Sequence, residues 1–195
     1  MKYLDLTQPC TNSLLQRSLR IRRHSRETHI ESPALIWKNG KTIDKFEPGR
    51  LLRPAVLLDL RRVSKGVIDD EDLEGAEEGA GLAIRDGEIA IIQTGWEHFY
   101  SQSKRYRAHP ALSVNAAEYL AFKGVSAVGI DTLSVDPPTD TKLKNHSVFF
   151  RKKILVIENL RNLELIEEPR FHLLALPLNI KAASSPARVI AIQAN

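Results

Sequence analysis

Two stretches of this chain carry the residue types that a divalent cation selects. The first is Thr28-His29-Ile30-Glu31-Ser32-Pro33. The second holds His146, in Asn145-His146-Ser147, and Glu158, in Val156-Ile157-Glu158-Asn159-Leu160. Borderline ions such as zinc or manganese accept imidazole nitrogen and carboxylate oxygen together. Each stretch supplies one His and one Glu, so a site closes only if the two meet in space. His29 and Glu31 are two apart, which on an extended strand puts both side chains on one face. Glu158 ends an apolar run, where a carboxylate is costly unless it is paired or bound to a cation. His146 follows a loop-like stretch, a common setting for binding residues. Each residue also has an ordinary reading: His-x-Glu pairs are common, a strand-end Glu is often a surface carboxylate, and His146 can cap a turn.

The elements that must position these residues are legible as apolar runs. Leu4 to Leu6 reads as a first strand, and Leu19 to Ile30 as an extended segment. Pro54 to Leu60, Glu88 to Gln93, Val125 to Asp131 and Ile154 to Glu158 are short and continuously apolar, as in strands buried on both faces. Phe171 to Leu178 and Ala187 to Gln193 add two more. Asp69 to Gly81 is Ala/Leu/Glu-rich with acids in its first turn, the pattern of a helix. Ser113 is an N-cap for a helix over Val114 to Lys123, ended by Gly124. Asp136 to Lys142 is the most loop-like stretch, and Asp131 and Asp136 are expected to make turn hydrogen bonds. Strands outnumber helices and are clustered at the C-terminal end, which predicts an α/β domain with a mixed sheet core and flanking helices. No Gly-, Ser- or Pro-rich break divides the chain, so residues 1–195 read as a single domain.

Composition narrows the function classes. A hydrophobic fraction of 43% with 27% charged residues is that of a water-soluble globular chain, not a disordered or membrane-spanning one. One cysteine, Cys10, excludes an internal disulfide framework. With the early acid in Met1-Lys2-Tyr3-Leu4-Asp5, it leads to the expectation of a cytoplasmic protein. The net charge of +4 is concentrated at Arg17, Arg20, Arg22, Arg23 and Arg26, with a second cluster at Lys104, Arg105 and Arg107. A phosphate-binding surface is one reading of these. Solvated charges on an edge strand are the preferred one, because no aromatic stacking pattern accompanies them.

With these residues in place, the chain resembles the cyclase family, metal-dependent hydrolases that include bacterial kynurenine formamidase and isatin hydrolase. The family signature His-x-Gly-Thr-His-x-Asp-x-Pro-x-His falls on Ser25 to Leu35. It is met at Thr28, His29 and Pro33, with Glu31 in place of the Asp. Asp5-Leu6-Thr7, Thr94-Gly95-Trp96, Gly129 to Pro137, His146 and Glu158-Asn159-Leu160 match further family segments in order. The chain departs from the pattern at Ser25, where the first His is expected and His24 lies one position out of register. It departs again at Glu27 in place of Gly, and at Leu35 in place of the last His, the family's expected general acid/base. The segment before the signature is also about half the usual length.

The resemblance implies a swivelling β/β/α fold, a homodimer or higher oligomer, and a divalent metal, zinc or manganese, with one ion expected rather than two. In two-metal members one ion uses the first two His and the Asp, the other the Asp, the later His and the Glu. Here the second set survives as Glu31, His146 and Glu158, and the first keeps only His29 and Glu31. The implied activity is hydrolysis of a small amide or aryl formamide through a metal-activated water. With Leu35 unable to move protons, Glu158, His24, or Glu31 where it is not fully engaged, is expected to do so. The alternative is a catalytically degraded relative that binds a small ligand or serves as a structural oligomer. Neither nucleic acid nor membrane is expected as a partner.

Overall fold

The predicted apolar runs pair into a sheet that closes on itself. The computed structural model describes residues 1–8, 27–63 and 66–194. The main strands are β1 (Lys2–Asp5), β2 (His29–Glu31), β3 (Leu52–Asp59), β5 (Ile89–Gln93), β7 (Ala127–Ile130), β8 (Leu155–Glu158), β9 (Arg170–Pro177) and β10 (Ser184–Gln193). A two-stranded parallel ribbon of β4 (Val67–Ile68) and β6 (Ala111–Leu112) stands apart. Among the described residues the α-helices are α1 (Asp70–Ala80), α2 (Ser103–Tyr106), α3 (Val114–Phe122) and α4 (Lys144–Arg151).

The eight main strands lie in the order β1-β10-β2-β8-β7-β5-β3-β9, and β9 also pairs with β10, which closes the ring. Strands β3, β5, β7 and β8 run parallel to one another, whereas every pairing of β1, β2, β9 and β10 is antiparallel. The sheet is therefore mixed, as the strand-heavy order predicts.

Strand alternation divides the core in two. Ala55, Leu57, Ile89, Ile91, Ala127, Leu155, Ile157 and Ile30 fill the inside of the closed sheet. Val56, Leu58, Ala90, Ile92, Val128, Ile130 and Val156 face outward and pack against Leu73 of α1, Leu120 of α3 and Phe149 and Phe150 of α4. Burying each such side chain contributes about 1.5–3 kcal/mol. Since Ile30 and Ile157 point inward, their neighbours His29, Glu31 and Glu158 must point outward, toward the helix layer.

The expected helices form with the expected ends. Ser113 Oγ accepts the Ala116 N–H at 3.1 Å, and Gly81 closes α1 in the left-handed region at φ 62°. Two local expectations need correction, and others fall partly outside the described residues or hold. The first strand runs over Lys2–Asp5 rather than Leu4–Leu6. Of the Leu19–Ile30 segment only its end is described, and it enters β2; the Arg17–Arg26 cluster, Cys10, His24 and Ser25 lie outside the described residues. Lys104 and Arg105 sit on the short helix α2 rather than on an edge strand, and the Arg105 guanidinium stacks 3.5 Å over Phe99. His146 follows the loop-like stretch and lies in the first turn of α4.

Gly129 marks where the closed sheet is tightest. A Cβ there would lie 2.6 Å from Ile91 Cδ1 and 2.9 Å from Leu160 Cδ1. Gly129→Ala is expected to cost about 1–3 kcal/mol through overpacking, read as a lowered urea midpoint. An unchanged midpoint would contradict this account of the interior.

Candidate metal centre

Antiparallel pairing of β2 with β8 sets His29 directly opposite Glu158, and Glu31 opposite Val156. Three of the four candidate ligands thus share one outward patch of two neighbouring strands. α4 supplies the fourth from above, its Phe149 and Phe150 buried against the sheet and His146 on the same buried side.

The four side chains form a ring in which imidazoles and carboxylates alternate. His29 Nε2 lies 3.2 Å from Glu31 Oε1, and Glu31 Oε2 lies 2.7 Å from His146 Nε2. His146 Nε2 lies 3.4 Å from Glu158 Oε1, and Glu158 Oε2 lies 3.5 Å from His29 Nε2. Exposure is 1% at His29, 4% at Glu31, 1% at His146 and 2% at Glu158, so water does not solvate these charges.

Both imidazoles have their far nitrogen occupied. His29 Nδ1 donates to the Glu27 carbonyl at 2.8 Å, and His146 Nδ1 meets Asp136 Oδ2 at 2.5 Å. With a proton fixed on Nδ1, the neutral ring turns the lone pair of Nε2 into the site, as metal-binding histidines do. Asp136 also accepts the backbone N–H groups of Asn145 and His146, at 2.6 and 3.4 Å, so it anchors the first turn of α4 as well as the imidazole. This corrects the expectation that Asp136 merely forms a turn. Asp131 does act at a turn: its carboxylate accepts from Thr94 N, Thr94 Oγ1 and Gly95 N.

His29, Glu31 and Glu158 fit a divalent ion, and His146 reaches the opposite oxygens of the two carboxylates. Bonds of about 2.1 Å in tetrahedral or octahedral geometry place neighbouring ligand atoms about 3.0–3.4 Å apart, close to the ring's own edges. His146 Nε2 is buried and makes no well-directed hydrogen bond despite the nearby Glu31 oxygen. Such an orphaned acceptor is satisfied by a cation. The ligand oxygens and nitrogen of His29, Glu31 and Glu158 lie within 4.8 Å of one another. His146 lies outside that group of three, on the far oxygens of Glu31 and Glu158.

Without an ion, protons must supply the positive charge. Burial alone would push the His29 pKa down, but its bonds to Glu158 and Glu31 outweigh that and raise it to about 10. Burial opposes the charge on His146 too, yet Asp136, Glu158 and Glu31 hold its pKa well above the ordinary value. Burial works against both carboxylates, and the imidazoles nonetheless pull Glu31 and Glu158 below the usual range.

Leu35, at the signature's last position, ends a short 3-10 turn over Pro33–Leu35 and packs half-buried against the helix-side core. Trp37 meets Phe150 edge-on at 6.4 Å between ring centres, a packing role. Trp96 is half-buried and donates to the Tyr106 carbonyl at 3.1 Å. His98 and His172 stand apart from the ring, and His109 bonds the Pro110 carbonyl. Sequence reasoning missed Asp136, Asn159 and Tyr106 as supports of the site. For Asp136 the signal was its position before a His-bearing segment; for Tyr106 no local signal exists.

A family model described as "Putative cyclase" matches residues 4–137. The kynurenine formamidase of Bacillus cytotoxicus is 29% identical over 164 residues, 84% of this chain and 73% of that protein. The kynurenine formamidase of Bordetella avium is 42% identical over 81 residues, 41% of this chain and 38% of that protein. Among solved structures, isatin hydrolase A from Ralstonia solanacearum superposes with a TM-score of 0.83 at 20% identity, over 98% of this chain and 92% of that one. A potential metal-dependent hydrolase with cyclase activity superposes at 0.77 and 24% identity, over 97% and 96%. At these identities the structures speak to the fold.

Two outcomes are expected. Asp136→Asn removes the acceptor charge behind His146 and weakens divalent-ion affinity about 10- to 100-fold by calorimetric titration; unchanged affinity would contradict its orienting role. The second concerns pH. The His29 pKa is higher folded, about 10, than its ordinary 6.5, so its stabilisation of the metal-free protein is complete below pH 6.5 and lost as pH rises toward 10. Chelator-treated protein should therefore melt at progressively lower temperature from pH 6.5 to 10. The stabilisation gained on adding a divalent ion should grow over the same range, because the ion displaces those protons. A flat profile would contradict the charge assignment.

Proposed function

The chain belongs to the putative cyclase family, and from that premise we propose that it is a metal-dependent hydrolase of a carbon–nitrogen bond in a small amide, with an aryl formamide as first candidate. The observation that carries the proposal is the buried ring of His29, Glu31, His146 and Glu158. The relatives' activity sets the substrate class. When bound, a divalent ion supplies Lewis acidity that polarises an amide carbonyl and acidifies water.

The chain's own residues supply the rest. Both His residues present neutral Nε2 atoms, and Asp136 and the Glu27 carbonyl hold them in that tautomer. Glu31 lies nearer the imidazoles, at 3.2 and 2.7 Å, than Glu158 does, at 3.5 and 3.4 Å. Glu158 Oε1 is further held by the Val135 N–H at 3.1 Å. Glu158 Oε2 is thus the least committed carboxylate oxygen in the ring, and we assign it the proton taken from the attacking water and passed to the departing nitrogen. His24, also expected to move protons, lies outside the described residues. The homodimer implied by the resemblance belongs to the same proposal.

A second reading has one observation in its favour. Leu35 stands where the family signature has a proton-moving His, which fits a site that holds an ion without turning over substrate.

Hydrolysis of N-formylkynurenine and isatin, with elemental analysis of the purified protein, separates the two. The enzyme reading predicts turnover that chelator abolishes and added manganese or zinc restores, and a fall of about 100- to 10,000-fold in Glu158→Gln at saturating ion. A stoichiometric ion with no turnover on a panel of formamides and lactams would favour the structural reading. A metal-free, inert protein would overturn both.

A further inference from the structure

His146 owes its orientation to Asp136. His29 has no such carboxylate behind it; its Nδ1 proton goes to a main-chain carbonyl, that of Glu27. A carbonyl at the mouth of a short strand orients a ring only as well as it is itself held. One buried side chain reaches it directly, and a second buried side chain holds the first.

Asn159 follows Glu158 directly, in the left-handed region at φ 58°, where Asn is favoured among non-glycine residues. This conformation turns its side chain back across the pair of ligand strands. Its Nδ2 donates to the Glu27 carbonyl at 3.3 Å and lies 3.5 Å from His29 Nδ1. Its main-chain carbonyl accepts Thr28 Oγ1 at 2.6 Å, next to the same ligand. The Tyr106 hydroxyl, on a side chain with no exposed surface, donates to Asn159 Oδ1 at 2.7 Å. That bond fixes which end of the amide faces the imidazole. Were the amide turned over, Oδ1 would confront His29 Nδ1 and compete with the Glu27 carbonyl for its proton. Tyr106 is in turn fixed by the Trp96 Nε1 bond to its carbonyl and by an edge-on contact with Tyr100 at 5.4 Å.

We propose that Tyr106 and Asn159 are positioning residues for the metal centre: the hydroxyl sets the amide, the amide braces the Glu27 carbonyl, and the carbonyl aims His29 Nε2 at the ion. The inference rests on the metal reading of the ring.

The test is titration of metal-free protein with cobalt(II), followed by its visible d–d absorption, alongside the melting temperature of each metal-free form. Tyr106→Phe keeps the ring's packing and deletes the hydroxyl. Asn159→Gly keeps the left-handed backbone accessible and deletes the amide. The proposal expects cobalt affinity about 10-fold or more weaker in each variant, with an altered d–d band. Variants that lose melting temperature but bind cobalt with unchanged affinity and spectrum would show a merely structural role and overturn it. If the unaltered protein binds no cobalt at all, the metal reading fails and this inference with it. If the unaltered protein binds and Tyr106→Phe binds identically, only the positioning role fails.

Discussion

Two carboxylates held out of water beside each other demand a positive charge, and that demand organises this end of the molecule. Glu31 and Glu158 are almost wholly buried and share their surroundings with the Nε2 atoms of His29 and His146. Left alone, the pair would repel and pull protons or water inward. The fold answers by fixing each imidazole from behind, through Asp136 on one side and the Glu27 carbonyl on the other, so that both Nε2 atoms face the two carboxylates. A divalent cation held by His29, Glu31 and Glu158 is the charge proposed to meet that demand. In its absence protonated imidazoles serve, which accounts for the raised pKa values of both His residues.

The closed sheet makes this arrangement possible at low cost to the rest of the core. Ile30 and Ile157 send their side chains inward, and the neighbouring ligands emerge on the outer face at a register set by main-chain pairing. No ligand of β2 or β8 interrupts the apolar interior. α4 is attached to the outer layer through Phe149 and Phe150, and Asp136 and Asp140 accept the N–H groups of its first turn and the approach to it. Leu143, just before that turn, is held in the left-handed region at φ 53°, uncommon for a bulky side chain. Such a conformation persists where the surroundings over-determine it, and it sits three residues from a ligand.

Much of the site could be read from spacing. The two-residue step from His29 to Glu31 predicts a shared strand face, and the apolar run ending in Glu158 predicts a buried carboxylate in need of a partner. Long-range organisation was less legible. Pairing of β9 with β10, which closes the sheet, is decided by contacts between elements and leaves no local mark. α4 escaped notice because Lys-Asn-His-Ser-Val-Phe-Phe-Arg is poor in strong helix formers and carries no Ser, Thr, Asp or Asn at its N-cap; Leu143 stands there, and Asp136 serves from a distance. Tyr106 is invisible for the same reason: fifty-three residues separate it from the Asn159 amide it bonds.

The central claim is that one cation sits among these four side chains. Anomalous diffraction from crystals grown with manganese, collected at wavelengths that distinguish it from zinc, tests it most directly. The account predicts a single peak within bonding distance of His29 Nε2, Glu31 and Glu158, beside His146, with both Nδ1 atoms still on the Glu27 carbonyl and Asp136. A ring closed on itself by hydrogen bonds with no peak at its centre, at saturating ion and alkaline pH, would contradict it.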